Sequence, residues 1–290
     1  MNSSIWLIPA ALGAACAAGL IRSQYERDHF VAEETVIVSE KIKAPRTLVF
    51  LSDMHDKEFG AQNTRLLAAI ADIHPDAVLI GGDTMVAKDG RGDLGATENL
   101  IRGLVPIAPV YYGNGNHEQR LNTEREVYGD SYRRFCRLLK AYGVTYLSDA
   151  SVEIGEDLVI SGLNIEKVFY KDFVPAKMKT EYLTRHLGVA DPGRFQILLA
   201  HSPMFLDAYG AWGADLTLSG HFHGGTIRLP YLGGVMTPQF QFFLPWCAGT
   251  FEENGHHMIV SRGLGTHSVN IRFNNKPQIV VVKLQPALQG

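Results

Sequence analysis

Asp53 and His55, the pair Gly82-Asp83, the run Gly115-Asn116-His117-Glu118, His201, and Gly220-His221-Phe222-His223 stand in that order along the chain. They bring imidazole, carboxylate and amide oxygen, with no cysteine among them. Such a donor set suits borderline to hard divalent ions such as Mn, Fe or Zn, and the series as a whole describes a pocket for two metal ions. Each block closes a short apolar run: Leu-Val-Phe-Leu-Ser before Asp53, Ala77–Ile80 before Asp83, Pro-Val-Tyr-Tyr-Gly before Asn114, Gln-Ile-Leu-Leu-Ala before His201, and Asp215–Ser219 before Gly220.

Each block alone has an ordinary reading. Asp53 and His55 fit a capping carboxylate with a surface histidine, and Gly-Gly-Asp fits a turn in which glycine supplies the sharp bend. Asn116 and Glu118 suit the start of a helix; His201 fits a hydrogen-bonded histidine. His221 and His223 in a glycine turn are a stronger metal signal. At a strand end, residues i and i+2 point to one side, which would aim Asp53 with His55, and His221 with His223, at a common ion. Five strand ends all carrying ligand-type groups are hard to explain as five accidents. In open α/β sheets the ligand site lies beyond the carboxyl ends of the strands.

The elements that must position these residues are legible. Short β-branched or aliphatic runs recur at 47–51, 77–80, 108–112, 158–161, 196–200, 215–218, 258–261 and 278–284, with helical stretches at 61–73, 95–104 and 124–142. This alternation predicts an α/β domain with a mixed sheet. The strand-rich stretch 226–284 predicts a second sheet packed on the first.

The blocks D-x-H, G-D, G-N-H-E, a lone His and G-H-x-H, in this order, resemble the calcineurin-like metallophosphoesterases over residues 46–290. The resemblance implies two mixed β-sheets packed as a sandwich flanked by helices. It implies a first metal on Asp53, His55, Asp83 and His223, and a second on Asp83, Asn116, His201 and His221, with Asp83 bridging; manganese is among the ions that fit. His117 would act as the acid or electrostatic partner, and Glu118 would orient it. Two ions roughly 3.5–4 Å apart can hold a bridging hydroxide and clamp both oxygens of an in-line displacement at phosphorus. Ser261-Arg-Gly-Leu-Gly265 and Arg228-Leu-Pro230 further resemble the membrane-anchored branch of that family, often grouped with hydrolases of UDP-2,3-diacylglucosamine. The implied substrate is a phosphoester or pyrophosphate, on a phosphorylated small molecule or a lipid-linked one. A catalytically silent scaffold of the same fold would show eroded ligands, and none is missing.

Composition bounds the rest. The chain has 290 residues, is 46% hydrophobic and carries a formal charge of −3, which gives no basic face for nucleic acid. Cys16, Cys136 and Cys247 are far apart and form neither a disulfide framework nor a thiolate zinc site. No G-x-S-x-G, Gly-Lys-Ser/Thr or H-E-x-x-H occurs, which removes serine hydrolases, P-loop nucleotidases and zincin proteases. From Ile5 to Ile21 no residue is charged. Residues 1–22 therefore read as a single membrane anchor, with a cleaved signal segment leading to secretion, or a soluble helix, as alternatives. Residues 23–45 read as a linker with one edge strand over Thr35–Ser39. The aromatic segment Leu229–Phe251 reads as a buried crossing between sheets, or as a lip touching lipid. Residues 166–186 read as a basic, aromatic insertion that receives an anion, or as a solvated helix face.

Overall fold

The computed structural model describes residues 7–170, 176–237, 240–267 and 269–287. Two six-stranded sheets dominate it. The first runs in the order Val31–Ser39, Gln278–Pro286, Arg46–Leu51, Ala77–Ile80, Val110–Gly113, Thr145–Leu147. Its strands pair in parallel except where Gln278–Pro286 meets Arg46–Leu51. The second runs Gly249–Glu253, His256–Val260, Leu216–Ser219, Phe195–Leu199, Leu158–Gly162, Ala150–Ile154. Its four inner strands are parallel and its two edge strands antiparallel.

The pleat sorts the side chains. Along Arg46–Leu51, Leu48 and Phe50 join Leu79, Val280 and Val282 in a core shared with Ile160, Ile197, Leu199 and Leu218 of the other sheet. Val49 and Leu51 point the opposite way, against Leu66, Ile70, Leu100, Ile101 and Phe135 from the helices. On the outer face of the second sheet, Leu198 and Ala200 meet Leu183, Tyr209 and Trp212. The result is helix, sheet, sheet, helix, the sandwich the resemblance implies. Of the stretch 226–284, however, only Gly249–Glu253 and His256–Val260 join the second sheet, while Gln278–Pro286 lies in the first because it pairs with Val31–Ser39 and Arg46–Leu51. Strands covered on both faces are apolar at every position rather than alternating, and each large side chain so buried contributes about 1.5–3 kcal/mol.

One expectation, that residues 23–45 form a linker, changes. The strand predicted at Thr35–Ser39 runs from Val31 to Ser39 and pairs along its whole length with Gln278–Pro286, so this segment is built into the first sheet. The apolar run from Ile5 enters the helix Leu7–Asp28, which continues into a polar half where Ser23 and Glu26 are buried. Among the described residues no helix is long and apolar enough to cross a membrane. Residues 5 and 6 of that run, and Lys171 and Phe173 of the basic insertion, lie outside the described residues.

Candidate metal centre

All five blocks emerge from carboxyl ends of strands: Asp53 after Leu51, Asp83 after Ile80, Asn116 and His117 after Gly113, His201 after Leu199, and His221 and His223 after Ser219. The sandwich places the first three from one sheet beside the last two from the other. Asp53, His55 and His223 have ligand atoms within 4.8 Å of one another, and so do Asp83, His201 and His221. A third grouping, His55, Asp83 and His117, links them. Asp83 Oδ2 lies 3.2 Å from His201 Nε2 and 3.8 Å from His55 Nε2, while Asp53 Oδ1 lies 3.4 Å from His223 Nε2 and 3.6 Å from His201 Nε2. His55 and His223 meet Nε2 to Nε2 at 3.1 Å.

The convergence has a different cause from strand alternation. Asp53, His55, Asp83, His221 and His223 all adopt positive φ, between 46° and 71°. This is the left-handed region, which costs an L-residue roughly 1–2 kcal/mol. Such outliers persist only where surrounding structure over-determines them, as at functional sites. Gly82 and Gly115 permit the loops to nest. A Cβ on Gly82 would fall 1.9 Å from the Gly115 nitrogen, and one on Gly115 would fall 2.1 Å from Asp83 Oδ1.

Hydrogen bonds to the ring nitrogens divide the histidines into two kinds. Gly81 O faces His201 Nδ1 at 2.8 Å, and Gly265 O faces His223 Nδ1 at 3.1 Å. A carbonyl only accepts, so each Nδ1 carries a proton and each Nε2 is the nitrogen left for a metal, that of His201 once it gives up its own proton. His117 is reversed. The Ala87 N–H donates to its Nδ1 at 2.8 Å, so in the neutral ring Nε2 carries the hydrogen. That Nε2 lies 3.9 Å from Asp83 Oδ2. His117 is therefore placed as a donor rather than a ligand.

Glu118 does not orient His117. Its Oε1 accepts from Thr84 N–H and the Tyr112 hydroxyl, and its Oε2 accepts from the N–H groups of Asp83 and Gly115. Glu118 thus ties the Asp83 loop to the start of helix Asn116–Thr123, the reach-back typical of a third helical residue. Orientation of the His117 ring comes from Ala87.

The electrostatics describe a cage built for positive charge. Burial holds His55, His221 and His223 well below the ordinary histidine value, hence neutral, and it pulls His117 down to about 4. Burial would lower His201 too, but the Asp83 and Asp53 carboxylates outweigh it and hold His201 up at about 10. Burial pushes Glu118 up to about 7, with the Asp83 carboxylate adding to it. Among the described residues, His55 Nδ1, His201 Nε2 and Asn116 Oδ1 are buried without a hydrogen bond. His201 Nε2 is close to Asp83 yet lacks hydrogen-bond geometry. The unpaired Asn116 oxygen and the imidazole nitrogens gathered around the Asp53 and Asp83 carboxylates fit divalent cations, and the donor set fits Mn, Fe or Zn.

A model of the calcineurin-like phosphoesterase family matches residues 46–225. The chain belongs to that family. It is a metal-dependent phosphoester hydrolase of mixed α/β fold. It is similar to the phosphodiesterase YaeI of Escherichia coli (strain K12), 25% identical over 83% of each chain. It is also similar to YkuE of Bacillus subtilis (strain 168), named an uncharacterized metallophosphoesterase, at 37% identity over 82% of this chain and 78% of that one. The UDP-2,3-diacylglucosamine pyrophosphatase LpxG of Chlamydia muridarum (strain MoPn / Nigg) is 29% identical over 69% of this chain and 60% of its own.

Two features were missed in the sequence. The ring of His267 lies 5.0 Å from those of both His55 and His117. The signal was available: the apolar run 258–261 leads into Arg-Gly-Leu-Gly-Thr-His, the same apolar-run, glycine-turn, ligand pattern as the other blocks. Tyr170, half-buried, lies with its ring 5.0 Å from that of His221. The aromatic segment is not a buried crossing throughout. Leu229, Tyr231, Leu232, Phe240, Phe242 and Phe243 are exposed, whereas Cys247 is buried and Trp246 and Phe251 pack on Met258 and Val260.

Proposed function

We propose that this chain is a two-metal phosphodiesterase or pyrophosphatase whose substrate is lipid-linked or held at a membrane surface, with UDP-2,3-diacylglucosamine as a candidate. The observation that carries the reading is the opposed protonation of His117 against His201 and His223 around shared carboxylates. Asp53, His55 and His223 would hold one ion, with Asp83 shared. Asn116, His201 and His221 would hold the other. Bound there, two divalent ions would supply Lewis-acid charge and an activated water at neutral pH.

The protein's own groups do the rest. His117 Nε2–H lies 3.9 Å from Asp83 Oδ2, beside the metal groups, where it can stabilise or protonate a departing oxygen. Asp83 accepts the His117 backbone N–H at 2.9 Å, so ligand and donor are held in one frame. The preference for lipid is supported by the exposed apolar residues of 229–243. At the start of this stretch the short hairpin Arg228–Leu229 with Gly233–Gly234 packs on the turn after His223: a Cβ on Gly234 would lie 2.8 Å from the Gly224 carbonyl. The similarity to LpxG points the same way.

The test is hydrolysis by the purified full chain, chelated and then reloaded with Mn, Zn or Mg. The panel holds an aryl phosphomonoester, an aryl phosphodiester and UDP-2,3-diacylglucosamine in detergent micelles. Metal-restored turnover with preference for the glycolipid nucleotide is expected. A folded, metal-loaded protein that prefers the soluble phosphomonoester would overturn the lipid assignment, and one that turns over nothing would overturn the enzymatic reading.

A further inference from the structure

Arg272 is 1% exposed, among the most deeply buried large side chains of the protein. A guanidinium in that position must find acceptors, and it finds four backbone carbonyls: Gly265 at 2.6 Å, Arg262 at 2.9 Å, Asn275 at 3.0 Å and Gly263 at 3.2 Å. The loop it gathers lies directly on one half of the metal centre. Leu264 N–H donates to Ser52 O, and Gly265 N–H donates to Asp53 O at 2.6 Å. The Gly265 carbonyl also receives the His223 Nδ1–H, and the Asn275 amide donates to the His223 carbonyl at 2.7 Å. The backbones of Asp53 and His223, and the ring tautomer of His223, are thus set by a loop whose shape depends on Arg272.

The polar half of helix Leu7–Asp28 closes this loop from outside. Ser23 Oγ accepts the Arg272 backbone N–H at 3.1 Å. Glu26, fully buried, accepts the Asn275 N–H at 2.8 Å while its other oxygen takes Arg22. Two residues on, Asp28 pairs with Lys57 at 2.6 Å, and Lys57 lies just past His55. The same helix therefore grips both loops that carry the Asp53, His55 and His223 group. Of the Asp83, His201 and His221 group, Asp83 and His201 have separate supports, Glu118 and the Gly81 carbonyl, whereas His221 shares the His223 turn and gives its N–H to Asp53.

We propose that the N-terminal helix, acting through Ser23, Glu26 and the buried Arg272, positions Asp53 and His223 and so sets the affinity of one of the two metal positions more strongly than that of the other. This rests on the two-metal reading above. It makes the segment before residue 46 a working part of the centre rather than a detachable tether, with Glu26 and Arg272 as positioning residues. Removing outer partners of metal ligands typically weakens metal binding by about 10- to 100-fold.

The test uses the full-length protein, stripped of metal and titrated with Mn²⁺ by calorimetry, with electron paramagnetic resonance to separate isolated from paired ions. Wild type takes up two ions as a coupled pair. Glu26→Ala and Arg272→Lys are each expected to weaken one site by about 10-fold or more while changing the other, coupled through the Asp53–His221 contact, far less. An isolated-ion signal should then dominate at substoichiometric metal. Glu26→Gln keeps an acceptor for Asn275 and should restore most of the loss. Ser23→Ala, which removes a single hydrogen bond, provides a mild variant that folds even if Arg272→Lys does not. Equal weakening of both sites, or none in any variant, overturns the proposal while leaving the two-metal reading standing; wild type that binds no metal overturns both.

Discussion

Glu118→Gln distinguishes an anchor of the ligand loops from a residue acting through His117. Oε1 accepts from Tyr112 at 2.6 Å and Thr84 N–H at 3.1 Å; Oε2 accepts from Asp83 N–H and Gly115 N–H, both at 2.9 Å. Glutamine preserves the shape but keeps one oxygen. With that oxygen at the Oε2 position, both of its N–H contacts survive, and the Tyr112 hydroxyl can turn to accept from the new amide. Thr84 N–H is then the one buried donor left unpaired, a loss of about 1–3 kcal/mol. The opposite rotamer strands two donors and is disfavoured. Because burial and Asp83 already hold the Glu118 carboxyl up at about 7, loss of its charge adds little at neutral pH. We therefore expect urea unfolding of the metal-free protein to show about 1–3 kcal/mol less stability, against a typical total of about 5–15. The pH profile of kcat in the Mn-loaded enzyme should keep its shape, since Ala87 holds His117. Unchanged stability with a displaced pH profile would refute this reasoning and restore Glu118 to the orienting role.

Replacing His117 with Ala should abolish most turnover while both metals stay bound; metal analysis showing loss of an ion would make His117 a ligand instead. His201, held up at about 10 against an ordinary 6.5, stabilises the metal-free fold fully below pH 6.5 and loses that contribution as pH rises through about 10. Thermal melts of metal-free protein should accordingly fall across that window, and metal uptake near pH 8 should release about one proton, measurable with an indicator dye. Phe242→Ser with Phe243→Ser should leave turnover of a soluble aryl phosphodiester unchanged and raise the KM for the same headgroup carried on a lipid. Equal KM changes for both substrates would remove this segment from lipid recognition.

Much of the site was legible because each ligand sits just beyond an apolar run, where elementary patterning places a strand end. The helix predicted over 95–104 is Gly95–Leu104. The one predicted over 124–142 breaks into Arg125–Tyr128 and Ser131–Ala141, where Gly129 takes φ 55° and departs from helical geometry. What the sequence concealed is carried by the backbone. The parallel pairing of Val31–Ser39 with Gln278–Pro286 joins segments from opposite ends of the chain, and no local pattern encodes it. The grip of Arg272 on four carbonyls likewise leaves no side-chain signature in the residues it holds.

The ligand residues themselves were found for a partly mistaken reason. Alternation along an extended strand would aim residues i and i+2 together, yet Asp53, His55, His221 and His223 converge from left-handed turns past the strand ends. That difference has a consequence. Extended strand ends would hold their side chains through the sheet ladder alone, whereas left-handed residues depend on the contacts that pin each turn. In the Asp53 and His223 turns those contacts include, from the other motifs, Asp53 N–H on Gly82 O, His55 N–H on Asp83 O and Asp53 Oδ1 on the His221 N–H, each at 3.0 Å. From outside the motifs they include Gly265 N–H on Asp53 O and Asn275 on the His223 carbonyl. The last two come from the loop that Arg272 and the N-terminal helix hold together. The geometry of this half of the centre is therefore set jointly by the motifs, which pin Asp53 and His55 to the Asp83 loop, and by a loop outside them, which fixes the Asp53 and His223 carbonyls.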